Sequence, residues 1–364
     1  MSARWELFTE DHVAFRDSVR QFIQKELAPN VEEWERAHDF PRDLYLRFGE
    51  LGLLGLKYEE RYGGTGPDLI ADAIVNEELA QCGAGGVAAG IGGHKDLGSY
   101  YIYRFGTEEQ RQRWLVPSIR GEMIGALGVT EPGAGSDVAN IQTKAVRDGD
   151  HFVLTGQKAF ITNGSKADYV VVAARTGGEG YGGISLIVVE KDTPGFTTNR
   201  MRTVGWWTSH TAELEGFICI MKNFQWERLV MALAAVAAAQ KTLESAIAYG
   251  KDREAFGRPV AKFQVWRHRF ADLETEIAAA RALTHHALRK LAAGEDALRE
   301  VSMAKWFATE LDWRVADEAL QVHGGYGYMM EFPVQRAWRD ARLGPIGGGT
   351  TEIMKEIIAK TYGL

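Results

Sequence analysis

Apolar residues recur at helical spacing through the first third of the chain. Behind Thr9, the positions Phe15, Val19, Phe22, Ile23 and Leu27 line one face, with Glu10 and Asp11 in the first turn and Pro29 beyond the end. This pattern predicts an amphipathic helix over 9–28. Further helical patterns fall at about 41–52, 67–81, 93–105 and 107–118, separated by glycine-rich breaks such as Tyr62-Gly-Gly-Thr-Gly-Pro67. Near Ile124 the period changes. Short runs rich in β-branched and aromatic residues at 141–146, 151–154, 169–174 and 184–190 predict strands. Asp148-Gly149 supplies the residues a tight hairpin turn needs, and the glycine-rich run 176–183 predicts a flexible connection. From Trp226 the helical period returns in Ala-rich segments at about 227–250, 261–293, 296–322 and 350–361.

The order is helical, β, helical, with no internal repeat. It predicts an α+β fold, mainly α: an N-terminal helical domain over 1–122, a middle antiparallel β domain over 123–215, and a C-terminal bundle of long helices over 216–364.

Composition narrows the functional classes. A formal charge of -7, with Lys and Arg scattered along the chain, argues against a nucleic-acid or anionic-membrane surface. No run of roughly eighteen apolar residues predicts a membrane span. Cys82 and Cys219 are the only cysteines, too few for a disulfide framework and in keeping with a reducing compartment. The opening Met-Ser-Ala-Arg-Trp leads into a charged segment, so neither a signal nor a transit peptide is expected and a cytoplasmic location is predicted.

Two stretches offer chemistry. In Gly128-Val-Thr-Glu-Pro-Gly-Ala-Gly-Ser-Asp137 the glycines let backbone N–H groups approach an anion, and Thr130 and Ser136 add hydroxyls; an ordinary Pro-Gly turn is the plainer alternative. In 221–232, Glu227 stands at the start of a long helix near Asn223 and Gln225, where it either complements the helix dipole or serves as a base. Gly83-Ala-Gly85-Gly-Val-Ala88 matches a dinucleotide fingerprint by letters alone, because a helical pattern precedes it. His285 and His286 are adjacent on a helix and point apart, so a metal site is not expected. Trp206-Trp207 reads as packing more readily than as a ligand wall.

The loop 128–137, followed by Gln157-Lys-Ala-Phe-Ile-Thr-Asn-Gly164, Asp252-Arg-Glu-Ala-Phe-Gly-Arg-Pro259 with Gln264, and Gln321-Val-His-Gly-Gly-Tyr-Gly327, closely resembles the acyl-CoA dehydrogenases. The family fold, with a C-terminal four-helix bundle, agrees with the order read above. The resemblance implies an FAD enzyme that converts an acyl-CoA to the trans-2-enoyl-CoA and passes electrons to an electron-transfer flavoprotein. It implies that Leu127, Thr130, Gly135 and Ser136 line the FAD and that Phe160, Ile161 and Thr162 flank its ring. Arg253, Phe256, Gln264, Gln321, Gly324 and Gly325 match positions that hold the FAD pyrophosphate and adenosine across a subunit boundary, in a homo-oligomer of tetrameric type. Thr350 and Glu352 match FAD contacts, and Ser136, Arg228 and Gly347 match substrate contacts.

One position departs from the family pattern. The loop Pro345-Ile-Gly-Gly-Gly-Thr-Thr-Glu-Ile353 carries Gly348 where many members place the catalytic Glu. In the isovaleryl-CoA and long-chain subgroups the base comes from the start of the first long C-terminal helix, just before an Arg, and Glu227-Arg228 matches that position. The resemblance also implies that the backbone N–H at this loop position polarises the thioester carbonyl, a group that Gly348 keeps. A same-fold flavin oxidase or monooxygenase, or a scaffold without flavin, are the alternatives. A second departure lies at Leu214-Glu215, where a strand and turn usual in the family are absent; residues omitted from the chain are the expected cause, because a lost strand would bare a sheet edge.

Overall fold

The computed structural model describes residues 7–149, 151–215 and 224–364. By contact density the chain forms two units, each assembled from separate stretches of sequence.

The first unit joins residues 1–32, 69–85 and 225–364. Its helices are α1 (Glu10–Phe22), α2 (Leu69–Ala80), α3 (Phe224–Asp252), α4 (Gln264–Ala292), α5 (Leu298–His323), α6 (Val334–Ala341) and α7 (Thr351–Lys360). Thr9 caps α1 as its sequence predicts: the Thr9 side chain accepts from the His12 N–H at 3.3 Å while His12 bonds back to the Thr9 N–H. The core is a stripe of Trp226, Leu229, Leu233, Val236 and Leu243 on α3, packed with Leu273, Ile277 and Leu288 of α4 and Val301, Leu311 and Val315 of α5. Each such side chain contributes about 1.5–3 kcal/mol by leaving water. Buried alanines at 232, 235 and 239 of α3 sit in the same core and allow close helix approach.

α3 is long and apolar enough to meet the length and composition of a membrane span. Part of that apolar surface, including Leu229, Leu233, Val236 and Leu243, packs in the core shared with α4 and α5. α2 belongs to this unit although it lies far upstream. Every residue from Ala71 to Leu79 is buried, acids included: Glu77 meets Arg16 at 2.6 Å and His285 at 2.8 Å, Glu78 takes Arg20 at 2.8 Å, and Asp72 accepts from the Asn76 side chain at 3.4 Å. The N-terminal helical segment is therefore divided between the two units.

The second unit, residues 33–68 and 86–224, holds the strands β1 (Gly125–Gly128), β2 (Lys144–Asp148), β3 (His151–Thr155), β4 (Gln157–Ile161), β5 (Tyr169–Arg175), β6 (Ile184–Glu190), β7 (Thr197–Arg200) and β8 (Ala212–Glu215). A five-stranded sheet runs β1-β5-β2-β3 with β6 on β5, and a three-stranded sheet runs β4-β8-β7. Pairing is antiparallel for β2 with β3, β5 with β6, and throughout the smaller sheet. β5 is the exception: it runs parallel to β1 and to β2, which the long intervening chain makes possible. β5 is apolar and buried over Tyr169–Ala174, lying inside the sheet with β6 along one edge and β1 and β2 along the other. The hairpin expected at Asp148-Gly149 joins β2 to β3, with Gly149 at φ 58°.

The glycine run at 83–88 opens a helix over Gly85–Gly92, as its rejection as a dinucleotide fingerprint requires; a side chain at Gly86 would run into the backbone of Thr208 and Ser209. Trp207 is structural, stacked on His38 at 4.6 Å with its indole N–H donating to Thr203 O at 3.1 Å. β8 is the middle strand of the smaller sheet, and the chain beyond it from Gly216 to Asn223, which includes Cys219 and the far side of the unusual junction, lies outside the described residues.

Candidate functional site

In the second unit the glycine loop leaves β1 and is held by an ion pair between its Glu131 and Lys158 of β4. Glu131, 6% exposed, accepts from Lys158 Nζ at 2.7 Å and from the N–H groups of Gln142 and Thr143 at 2.6 and 3.0 Å; Lys158, fully buried, also donates to Val129 O at 3.0 Å. Burial alone would raise the Glu131 pKa, but the Gln142 amide and the Lys158 ammonium outweigh it and hold the carboxyl below its ordinary value. Reciprocal backbone bonds between Glu131 and Ala134 close a tight turn over Pro132 and Gly133. A methyl group at Gly133 or Gly135 would touch nothing, so these peptide groups face open space, as an anion cradle requires.

The Ala159 N–H donates to Thr130 O at 2.8 Å, which ties the loop to β4. There the pairing of β4 with β8 shifts between Lys158 and Ile161, and Phe160 takes φ 61°. A bulge combined with a left-handed aromatic residue is costly and re-aims a side chain. Its result is a Phe160 ring 63% exposed beside a buried Ile161 and a half-buried Thr162. Asn163 locks the strand end: it accepts from the Tyr45 hydroxyl at 3.0 Å and donates to Gly90 O at 2.7 Å. The structure thus brings Thr130 together with Phe160, Ile161 and Thr162, with Leu127 on the strand that feeds the loop and Ser136 exposed beyond Gly135.

In the first unit Glu227 lies in the first turn of α3 and is 8% exposed. Its neighbour Arg228 donates from Nε to Gly348 O at 3.4 Å, joining the start of α3 to the loop between α6 and α7. Gly348 and Gly349 take φ 63° and 100°, backbone that glycine adopts without strain. A Cβ on Gly348 would fall under 3.0 Å from Met231 Sδ. Met231 is four residues after Glu227 on the same helix, so the space a loop carboxylate would need is filled. The Gly348 N–H makes no hydrogen bond among the described residues. Gly347 precedes it, with its N–H donating to Leu343 O at 2.9 Å. Thr350 caps α7 by accepting from the Ile353 N–H at 3.4 Å, and Glu352 is exposed in that helix's first turn.

The distal set gathers around a hairpin of β9 (Glu254–Ala255) and β10 (Arg258–Pro259). Phe256 and Gly257 form its tip at φ 52° and 75°, the geometry of a type I′ turn. Phe256 is 96% exposed and meets Phe263 edge-on, next to the exposed Gln264. The Arg253 guanidinium lies 5.9 Å over the Tyr326 ring, in the turn that begins with Gly324 and Gly325; both glycines face open space, and Gln321 is exposed one turn earlier. A guanidinium, an exposed ring and two bare glycines suit a phosphate-bearing aromatic ligand.

Sequence reasoning missed Glu131 and Lys158 as a pair, Met231, and Lys305, which is described below. Lys305 carried a signal: it interrupts the buried stripe Val301, Ala304, Ala308, Leu311 of α5. Met231 carried none, since a Met in an Ala-rich helix reads as core. Among the described residues no group of three potential metal ligands occurs; His285 bonds to Glu77.

Family models match almost the whole chain: the acyl-CoA dehydrogenase N-terminal domain over residues 9–122, middle domain over 126–217 and C-terminal domain over 215–363. The chain belongs to the acyl-CoA dehydrogenase family, FAD-dependent oxidoreductases that act on acyl-CoA thioesters. It is 40% identical to the long-chain specific acyl-CoA dehydrogenase, mitochondrial, of Sus scrofa, with 97% of this chain and 87% of that protein covered. That alignment spans 375 positions, more than the 364 residues present here, so the relative carries residues with no counterpart in this chain. Among solved structures, an acyl-CoA dehydrogenase from Geobacillus kaustophilus is similar with a TM-score of 0.94 and 42% identity over 100% of both chains. A glutaryl-CoA dehydrogenase from Mycobacterium smegmatis in complex with FADH2 gives a TM-score of 0.90 and 30% identity, covering 98% of this chain and 95% of that one.

Proposed function

We propose that Glu227 is the base that removes the α-proton of the acyl-CoA, with the Gly348 N–H polarising the thioester carbonyl. The observation that carries this reading is the pairing of a buried carboxylate at the start of α3 with a loop glycine whose side-chain space belongs to Met231. A carboxylate on the loop would have to displace that sulfur; one at 227 needs no rearrangement. Arg228 keeps the two elements in register through Gly348 O. Polarisation by a backbone N–H makes the α-proton more acidic, and a nearly buried carboxylate takes it without competition from bulk water.

FAD, when bound, supplies the acceptor for the β-hydride. The residues present fit it. The loop 128–137 offers open backbone at Gly133 and Gly135, Phe160 an exposed aromatic side chain, and Arg253 with Gly324 and Gly325 a phosphate site. The fully exposed Phe256 supports the family reading in which the distal set serves a second copy of the chain, in a tetramer. An electron-transfer flavoprotein is the proposed acceptor and a branched or longer acyl chain the proposed substrate, both on the family resemblance; the cytoplasm is the proposed location.

The base is tested apart from the redox step by hydrogen exchange. A bound 3-thia-acyl-CoA, which cannot lose a β-hydride, exchanges its α-hydrogen with D2O on the wild type, and Glu227→Gln abolishes that exchange. Exchange at the wild-type rate by the variant contradicts the assignment.

A further inference from the structure

Lys305, in the middle of α5, is fully buried, and among the described residues no carboxylate lies within ion-pairing distance of its ammonium group. Instead Nζ donates to Gly344 O at 2.8 Å and to Gly349 O at 2.6 Å. These two carbonyls stand at the two ends of the segment Gly344-Pro-Ile-Gly-Gly-Gly349, so one cation ties together both legs of the loop that carries Gly348. Backbone bonds fix the first half of the loop, with the Ile346 and Gly347 N–H groups both donating to Leu343 O at 2.9 Å and Thr351 N–H donating back to Pro345 O at 3.0 Å; at the second half, beside Lys305, Arg228 reaches Gly348 O at 3.4 Å. A buried ammonium is expensive to keep in a helix core. Bundle stability alone would be served as well by Leu or Met at this position.

We propose that Lys305 is a positioning residue for the reaction: by holding the carbonyls of Gly344 and Gly349 together it fixes the direction of the Gly348 N–H. This rests on the reading of that N–H as the donor to the thioester carbonyl. The two hydrogen bonds of Lys305 Nζ go to loop carbonyls, so it acts through the loop. The charged groups that face it are Arg228 from α3, Glu310 from its own helix and Glu352 from α7. Burial foremost, then the like charge of Arg228, push its pKa down to about 8, so the clamp weakens as the pH rises past that value. A neutral amine keeps N–H donors but loses the charge that strengthens them.

The experiment uses FAD-loaded enzyme and an aryl-acryloyl-CoA, a conjugated thioester whose absorption moves to the red as its carbonyl is polarised. Lys305→Met is expected to lower kcat by about 10- to 100-fold, the scale of losing a preorganised donor, with KM within about threefold, and to shrink the red shift by half or more. Glu227→Gln is expected to lose turnover yet keep the red shift, which separates the clamp from the base. Retention of both kcat and the red shift in Lys305→Met overturns the proposal. Should that variant not take up FAD, the wild type decides: the red shift is expected to decline with a midpoint near pH 8, and a flat profile from pH 6.5 to 9.5 overturns the proposal. A wild type that gives no red shift at all removes the Gly348 reading and the clamp with it.

Discussion

Met231 occupies the volume into which a side chain at Gly348 would project, and it is placed there by the helix that carries Glu227 one turn earlier. The two features are one arrangement. A helix that brings Met231 against the loop also brings Glu227 to its edge, so a vacated loop position and a helix-borne carboxylate go together.

This relationship makes stability predictions that are independent of activity. Gly348→Ala must place Cβ at φ 63° and against Met231 Sδ, and is expected to destabilise the FAD-loaded enzyme by about 1–3 kcal/mol. Adding Met231→Ala removes the clash and leaves only the backbone strain. A double-mutant cycle from denaturant unfolding should therefore show positive coupling of about 0.5–3 kcal/mol; strict additivity would show that the two residues do not meet.

The Glu131 and Lys158 pair makes a prediction about cofactor retention. Removing one member leaves the other charge buried, a loss of about 3–5 kcal/mol in comparable pairs, and releases the glycine loop from β4. Glu131→Gln and Lys158→Met are each expected to purify with little flavin by the ratio of visible to ultraviolet absorbance, whereas Glu131→Leu with Lys158→Met should recover part of it. Full flavin content in both single variants would show that the pair does not shape the cradle.

Arg253 is predicted to act on a phosphate. Arg253→Ala loses a hydrogen bond to a charged group, about 1.5–3 kcal/mol, or roughly tenfold to a hundredfold in FAD affinity. Titration of apoenzyme by flavin fluorescence measures it. Arg253→Lys should restore only part of the loss because a point charge lacks the planar fork.

His94 sets an acid limit to stability. Its ring accepts from the Gly125 N–H at Nδ1 and lies 3.0 Å from Ser118 O at Nε2, which requires the neutral form, and burial pushes its pKa down to about 4. Because the folded pKa is lower than the unfolded value near 6.5, the unfolded chain binds the proton first as pH falls. The stabilisation is therefore present above about pH 6.5 and is lost progressively down to about pH 4, some 3 kcal/mol in all. His210, lowered to about 4 by burial and then by Lys166, adds a smaller loss in the same window because it is partly open to solvent. Denaturation midpoints of wild type and His94→Gln between pH 7 and 4.5 check this: the wild type should fall more steeply.

The order of helices and strands was legible in the sequence because period and breakers are local signals, as at Thr9, Asp148-Gly149 and the Ala-rich α3. The four glycine and arginine motifs named the flavin chemistry for the same reason. What escaped depends on contacts far apart in sequence. β1 pairs in parallel with β5 across more than forty intervening positions, and α2 is buried against helices far downstream. Phe160 could be quoted from the sequence, but its outward turn comes from a bulge that only the partner strand reveals. Lys305 was visible as a charge on an apolar stripe, but its carbonyl partners lie 39 and 44 positions away.

The central claim is that catalysis depends on the carboxylate at 227. Anaerobic addition of a matching acyl-CoA to FAD-loaded wild-type enzyme should bleach the flavin absorbance, and Glu227→Gln should bind the same ligand, with a perturbed visible spectrum, and stay yellow. Bleaching of Glu227→Gln at the wild-type rate would contradict the account and place the base elsewhere.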